Sequence, residues 1–399
     1  MLALEGVKVL DLSRVLAGPW CTQTLADLGA DVWKIEEPTK GDDTRSWMPP
    51  EINGESTYFL CCNRSKKSVA IDMKDPEGQA ILRRLAEKAD VLVENFRKGA
   101  LDRFGLGYEQ LAAINPRLIY CSISGYGRTG SRADEAGYDF AIQAESGLMA
   151  ITGEPDGAPM KHGVAITDIV TGMNATQAIL AALIARGKTG QGQFIDVSLF
   201  DSAVALLANV GSGHLVTGNE PRRYGNAHAT VVPYQLFDTA DGVLALAVGN
   251  DLQFQNLCLR VLERPDLAAD ERYRKNRDRV LNRTTLIPLL AEMFRTRGTA
   301  DWVARLKQAG VPAGQVRKVS QVFASLEVEE RGTVAEVPDE RHGTLRLTAS
   351  PLRLSGTPVR PPVAPPRLGE HTREVLKREL GLGEQDLARL PAGASGERA

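Results

Sequence analysis

Between Val7 and Glu36 the chain contains a complete strand–loop–helix–strand unit, and few folds accommodate one. Val7-Lys8-Val9-Leu10-Asp11-Leu12 is an apolar run of strand length. A loop from Ser13 to Pro19 leads into a helix ending near Leu28, and Ala30 to Glu36 is the next strand. Strands joined through a helix run parallel, because the crossover returns the chain to the same end of the sheet. The pattern recurs. Pro76 to Ala89 is helical with proline in its first turn, Val91-Leu92-Val93 is a strand, and Leu118 to Ile123 is another. The fold class is therefore α/β, with a parallel sheet in its first half.

A longer helix, Asp168 to about Arg186, carries apolar residues on nearly every face and is expected to be buried. Gly187-Lys188-Thr189-Gly190 stops it, Gln193 to Leu199 supplies a further strand, and Ser202 to about Asn209 a further helix. The texture then changes. Pro221 to His228 is basic and loop-like, and Val243 to Val248 is a strand. Helical stretches follow at about Pro265 to Lys275, Thr284 to Thr296 and Ala300 to Ala309. These features divide the chain into a large α/β domain over 1–224, a smaller α+β domain over 225–320, and a segment 321–399 returning to the first. In that last segment Gly343 to Leu354 reads as two strands and Pro358 to Pro366 as an extended arm. Thr372 to Leu380 and Glu384 to Leu390 read as helices.

A formal net charge of −2 gives no basis for a nucleic-acid partner. No apolar run is expected to span a bilayer. The five cysteines and five histidines show neither a disulfide framework nor metal-ligand spacing, so no metal is expected. The first strand begins by Val7, so no leader is expected and the expected location is cytoplasmic.

The chemistry centres on Asp168 in Gly163-Val164-Ala165-Ile166-Thr167-Asp168-Ile169-Val170-Thr171-Gly172. At the start of a helix the dipole and free N–H groups favour an anion, so this carboxylate is expected to be ionised and nucleophilic at neutral pH. The flanking glycines would let a substrate approach the backbone. The plain alternative is a helix cap or dipole partner, the commonest role of an aspartate there. The loop Ser13–Pro19 ends as a helix begins, a weak phosphate signal, and it lacks G-x-G-x-x-G. Asn63-Arg64-Ser65-Lys66-Lys67-Ser68 is a basic loop able to meet a polyanion, or simply a solvated turn. Lys74, Arg97, Lys98 and Arg103 add positive charge at successive strand ends. Gly137-Tyr138-Asp139, Gln143, Ser146 and Gly147 precede Asp168, and Tyr138 could donate to an oxyanion. No Ser-His-Asp or Cys-His arrangement can be argued from spacing, so a carboxylate nucleophile is the simplest option for group transfer.

Taken in order, several segments resemble the class III CoA-transferases across nearly the whole chain. They are Leu10 to Pro19, Leu28 to Glu36, Gly41-Asp42-Asp43-Thr44-Arg45, Asp72-Met73-Lys74, Val93-Glu94-Asn95-Phe96, Leu101-Asp102-Arg103, Ser122 to Gly130 and the Asp168 segment. Within that family Gly137–Asp139, Ser146–Met149, Ile151–Gly153, Gly225–His228, Val232–Gln235 and Gly249–Phe254 are similar to members acting on succinyl-CoA and glutarate.

The resemblance implies a large Rossmann-like domain with a smaller one, in an interlocked homodimer whose chains thread through each other. It implies transfer of CoA from an acyl-CoA such as succinyl-CoA to a small carboxylic acid such as glutarate. Asp168 would form a mixed anhydride and then an aspartyl-CoA thioester, with CoA as substrate and no resident cofactor. Val15, Lys74, Asn95, Phe96 and Arg103 would contact CoA, and Gly249 and Asn250 would belong to a loop over the aspartate. Arg14, Arg45, Arg222 and Arg223, with His228 nearby, are candidates to hold a distal carboxylate. Leu16 departs from the pattern, standing where some members carry a glutamine. Racemases of the same fold carry Gly-His-Asp where this chain has Tyr138, and tyrosine is a poor proton carrier at neutral pH. A racemase and a non-catalytic CoA-binding protein are the competing readings.

Overall fold

Val9 and Leu10 are adjacent and both fully buried, yet they belong to different cores. Side chains alternate across a strand, so this sheet is covered on both faces, as the near-continuous apolar strands require. The computed structural model describes residues 1–387. The strands of the main sheet are β1 (Lys8–Asp11), β2 (Asp31–Glu36), β3 (Lys67–Ala70), β4 (Val91–Glu94), β5 (Ile119–Ser124) and β6 (Gln193–Ser198). All pairings are parallel and the spatial order is β3-β2-β1-β4-β5-β6. β1 lies between β2 and β4, with Val9 opposite Val32 on one side and Val91 on the other. The order reverses between β1 and β4, and ligands of open α/β sheets bind outside the carboxyl ends of the strands at such a switch point.

On one face, helices α1 (Ala17–Asp27) and α4 (Ile166–Thr189) bury Leu25, Ala175 and Ile179 against Val9, Val91 and Ile119. On the other, α2 (Pro76–Lys88) and α5 (Thr372–Leu380) bury Leu82, Leu85, Val375 and Leu376 against Leu10, Trp33 and Leu92. A short helix α3 (Asp139–Glu145) precedes α4. α2 starts as its sequence dictates, with Pro76 in the first turn and the Asp75 carboxylate accepting the Glu77 N–H. α4 stops at Gly190, whose φ of 75° suits glycine and whose N–H closes on the Arg186 carbonyl. By length and mean hydropathy (1.3) α4 meets the measure of a membrane span, against the expectation of no such run. Its packing on the sheet accounts for part of that apolar content.

The described chain divides into two units, Met1–Leu148 with Lys161–Val216 and Leu326 onward, and Met149–Met160 with Thr217–Ser325. The sequence reading placed 149–160 and 217–224 in the large domain. Arg223 explains the difference, since it donates to the carbonyls of Ala150, Glu154 and Gly157, while the Gly225 N–H bonds the Gly153 carbonyl. The second unit has a three-stranded antiparallel sheet over a core of Phe237, Leu246, Phe254, Leu290, Phe294 and Trp302.

Smaller differences follow from local pairing. The hairpin near 343 pairs Val334–Asp339 with Gly343–Thr348, so no strand reaches Leu354. The helix expected near Ser202 is two helices, Leu199–Ala205 and Ala208–Thr217, at 77°. At 265–275 only Pro265–Ala269 is helical. The proline-rich arm is extended and tied down, Arg360 N–H to the Asp27 carbonyl and Val363 N–H to Ser65. The last helix is described for Glu384–Leu387, and its expected remainder lies outside the described residues.

Candidate active site

The carboxyl ends of β1 and β4 open into a cleft of ≈ 210 Å³ lined by Arg14, Val15, Leu16, Asn95 and Phe96, with Tyr138 and Asp168. This is the switch point of the sheet. The loop leaving β1 is fixed residue by residue. The Arg14 N–H donates to Asn95 Oδ1 (2.9 Å) and Asn95 Nδ2 donates back to the Arg14 carbonyl (2.7 Å). The Val15 N–H donates to Asp42 Oδ1 (3.3 Å), and Lys34 Nζ bridges Asp42 Oδ2 (2.7 Å) and the Ser13 carbonyl (3.0 Å). Burial opposes the Asp42 charge, but Lys34 outweighs it and brings this carboxyl down to about 2. These contacts hold Val15 at φ 70°, a left-handed conformation that a β-branched residue enters only under constraint. The strain sits beside the cleft, where α1 begins. Leu16 is the N-cap of α1 and gives no side-chain cap, and Leu16 and Ala17 both line the cleft.

Asp168 lies in the first turn of α4, two residues after its start. Among the described residues its carboxylate accepts no hydrogen bond and forms no ion pair, so it is not acting as a cap. Burial, and then the charge of Asp139, push its carboxyl up from 3.8 to about 7. The expectation of a fully ionised Asp168 at neutral pH is thereby corrected: desolvation and a like charge outweigh the helix dipole. The cap of α4 comes from elsewhere. Asp139 Oδ1 accepts the Thr167 N–H (2.9 Å) and hydroxyl (2.6 Å), and Oδ2 accepts Gln143 Nε2 (2.7 Å). Gln143 Oε1 in turn accepts the His162 N–H (2.8 Å). The sequence reading named Asp139 and Gln143 without a role, because a cap supplied from another helix leaves no local signature.

Of the glycines flanking Asp168, Gly163 is open, but a Cβ on Gly172 would lie 2.6 Å from the Ala17 carbonyl. Gly172 serves close packing of α4 on α1, not substrate approach.

The other expected residues fall in three places. Arg14, Val15, Asn95, Phe96 and Tyr138 share the cleft with Asp168, and Arg97, Lys98 and Arg128 line it too. Lys74 and Arg103 are exposed and do not line it. Arg222, Arg223, His228, Gly249 and Asn250 belong to the second unit. There Arg222 stacks on Tyr224, His228 Nδ1 accepts the Thr230 N–H (3.1 Å), the Gly249 N–H bonds Gln253 (2.7 Å), and Asn250 caps a helix.

Two expectations are overturned by internal pairing. Arg45 grips Glu36 at 2.7 and 2.8 Å and stacks on Phe59 at 3.6 Å, so its fork is consumed by the protein. The basic loop is likewise no phosphate site. Arg64 is buried against Asp27, Lys66 against Asp11 (3.2 Å), and Lys67 pairs with Glu374 (2.8 Å).

A doubly covered parallel sheet with a strained loop and an unpaired carboxylate in the cleft at its switch point is an α/β architecture with a site able to take a small-molecule ligand. The model of CoA-transferase family III matches residues 4–372, and the chain belongs to that family. It is similar to the succinyl-CoA:glutarate CoA-transferase of Mus musculus, 46% identical over 98% of this chain and 89% of the relative. It is also similar to the succinate–glutarate CoA-transferase of Agrobacterium fabrum, 45% identical over 94% of each. A solved CAIB/BAIF family protein from Brucella suis is 45% identical with a TM-score of 0.85, covering 95% of this chain and 99% of that one. The chain is thus an enzyme that transfers coenzyme A.

Proposed function

We propose that the chain moves CoA from succinyl-CoA to a dicarboxylic acid such as glutarate through covalent intermediates on Asp168. The observation that carries this reading is the Asp168 carboxylate itself, unpaired and half-buried in the cleft, where shielding from water and then the Asp139 charge raise its pKa and with it its basicity and nucleophilicity. In the first step its oxygen bonds the thioester carbonyl carbon and the C–S bond breaks, giving a mixed anhydride and CoA thiolate. The thiolate then attacks the aspartyl carbonyl, forming the aspartyl-CoA thioester and releasing the donor acid. The acceptor carboxylate repeats both steps in reverse. At each addition a carbonyl oxygen gains negative charge, and the uncapped start of α1 supports a role for backbone N–H groups there. That would serve where Leu16 replaces the glutamine of some relatives.

Val15, Asn95 and Phe96 line the cleft and would hold the CoA arm, with Lys74 and Arg103 meeting its phosphates farther along the surface. For the distal carboxylate Arg14 is favoured over Arg45, because Arg14 lines the cleft and is held only by a solvent-exposed pair with Asp43, whereas Arg45 is bound to buried Glu36. The names of the relatives support succinyl-CoA and a dicarboxylate as the pair. An interlocked homodimer fits the exposed apolar side chains of a single chain, Ile184 at 66%, Leu215 at 85% and Val216 at 84%.

The test is CoA exchange from succinyl-CoA to glutarate, methylated and hydroxylated dicarboxylates, oxalate and carnitine, read by mass spectrometry beside Asp168→Ala. Transfer to a dicarboxylate that the variant abolishes is the expected result. No transfer to any acid, with solvent deuterium entering the α-position of the thioester, would replace this reading with a racemase.

A further inference from the structure

Asp139 spends its whole carboxylate on the protein. One oxygen takes the Thr167 N–H and hydroxyl at 2.9 and 2.6 Å, the other the Gln143 amide at 2.7 Å, and Gln143 is anchored by the His162 N–H. Gln143 and Thr167 are buried. A neutral cap such as serine or asparagine satisfies a helix N-terminus nearly as well as an aspartate. A second full negative charge beside a reacting carboxylate therefore needs another reason. We propose that Asp139 is a positioning residue whose bonds to Thr167 fix the first turn of α4, and whose charge drives Asp168 toward its acylated form.

This inference rests on Asp168 being the nucleophile. Formation of the aspartyl-CoA thioester converts the Asp168 carboxylate into a neutral acyl group, and the negative charge departs on the released donor acid. Repulsion between Asp139 and Asp168 exists in the free enzyme and vanishes in the thioester. It therefore raises the free enzyme relative to the intermediate and assists the first half-reaction. The same repulsion contributes, after burial, to the raised pKa of Asp168. Other charged or titratable groups face the cleft as well. Arg14 is paired with Asp43, Arg128 is paired with Glu94, and Arg97, Lys98, Glu135 and Tyr138 also line it. Burial and the charge of Asp168 both oppose ionisation of Tyr58, which places that phenol near Asp168 as a neutral group. None of these bonds the first turn of α4 as Asp139 does.

The test pairs two readouts in Asp139→Asn, which keeps an oxygen for Thr167 and removes the charge. With succinyl-CoA and added succinate but no acceptor, intact-mass spectrometry gives the ratio of CoA-bearing to free enzyme. The pH profile of kcat/KM for succinyl-CoA gives the Asp168 midpoint. One electrostatic interaction sets both, so a midpoint lowered by about one pH unit should accompany an adduct ratio lowered about tenfold. Thr167→Val, which removes one bond but no charge, should slow turnover with the midpoint unmoved. If Asp139→Asn does not fold, Asp139→Ser carries the same measurement. A slowed Asp139→Asn with unchanged midpoint and adduct ratio would overturn the proposal. Absence of any adduct on the wild-type enzyme would instead remove the nucleophile reading beneath it.

Discussion

Replacing Asp168 with asparagine should abolish transfer and, at alkaline pH, make the protein more stable. In the unfolded chain this carboxyl titrates near 3.8, and in the folded one near 7. Well below pH 3.8 both states hold the proton and the group contributes nothing. Between pH 4 and 7 the unfolded state releases its proton first, so stability falls as pH rises, and above 7 the full cost remains. A shift of roughly three units corresponds to about 4 kcal/mol, and with Asp168 only partly buried about half of that is a fair expectation. The amide of the Asp168→Asn variant carries no charge at any pH. Urea unfolding of both proteins at pH 5 and 8.5 should therefore show the variant ahead by about 1–2 kcal/mol more at the higher pH. If Asp168 were an ordinary dipole partner, the sign would reverse, and the variant would lose about 0.5–1 kcal/mol at pH 8.5. That result would refute the reasoning.

Three further outcomes follow from the same geometry. Attack requires the Asp168 carboxylate, so kcat/KM for the donor should fall tenfold per unit below about pH 7 and level off above it; a profile flat to pH 5 would contradict this. Asn95→Ala removes both bonds that pin Arg14 and should cost about 1–3 kcal/mol in urea unfolding while raising the KM for the acyl-CoA. Arg45→Ala strips the guanidinium from buried Glu36, which keeps the Ser68 hydroxyl and the Asp42 N–H, so it should destabilise by about 1–3 kcal/mol without altering dicarboxylate preference, whereas Arg14→Ala should erode that preference with little loss of stability.

The sheet was legible because its central strands are apolar on both faces and some of its helix ends are marked by proline or glycine, as at Pro76 and Gly190, signals carried by neighbouring residues. The cleft was half legible. A charged residue in the first turn of a long helix can be read locally, which brings out Asp168, whereas Val15 and Asn95 were reached only through the family resemblance. What the sequence hides is pairing at a distance. Nothing near Arg45 announces that its guanidinium will be gripped by Glu36 and the Pro366 carbonyl, and the basic loop at 63–68 looks like a polyanion site until Asp11 and Asp27 are seen beside it. The protonation of Asp168 was misjudged for the same reason. The helix dipole is a property of its own segment, while desolvation and the Asp139 charge are properties of the fold. Lys34, a lysine inside a buried strand, was the one available hint that a partner such as Asp42 must lie close.

The central claim is that acyl groups and CoA pass through the Asp168 carboxylate, and oxygen tracing addresses it most directly. In the proposed sequence the acceptor acid attacks the aspartyl thioester, and CoA thiolate then cleaves the anhydride at the acceptor's carbonyl. One acceptor oxygen is left on Asp168. Turnover of succinyl-CoA with acceptor labelled by oxygen-18 in its carboxylates, followed by proteolysis and peptide mass spectrometry, should find the label in the peptide containing Asp168 and in no other. Full transfer with no label on that peptide would mean that the acceptor never bonds Asp168, and would contradict the account.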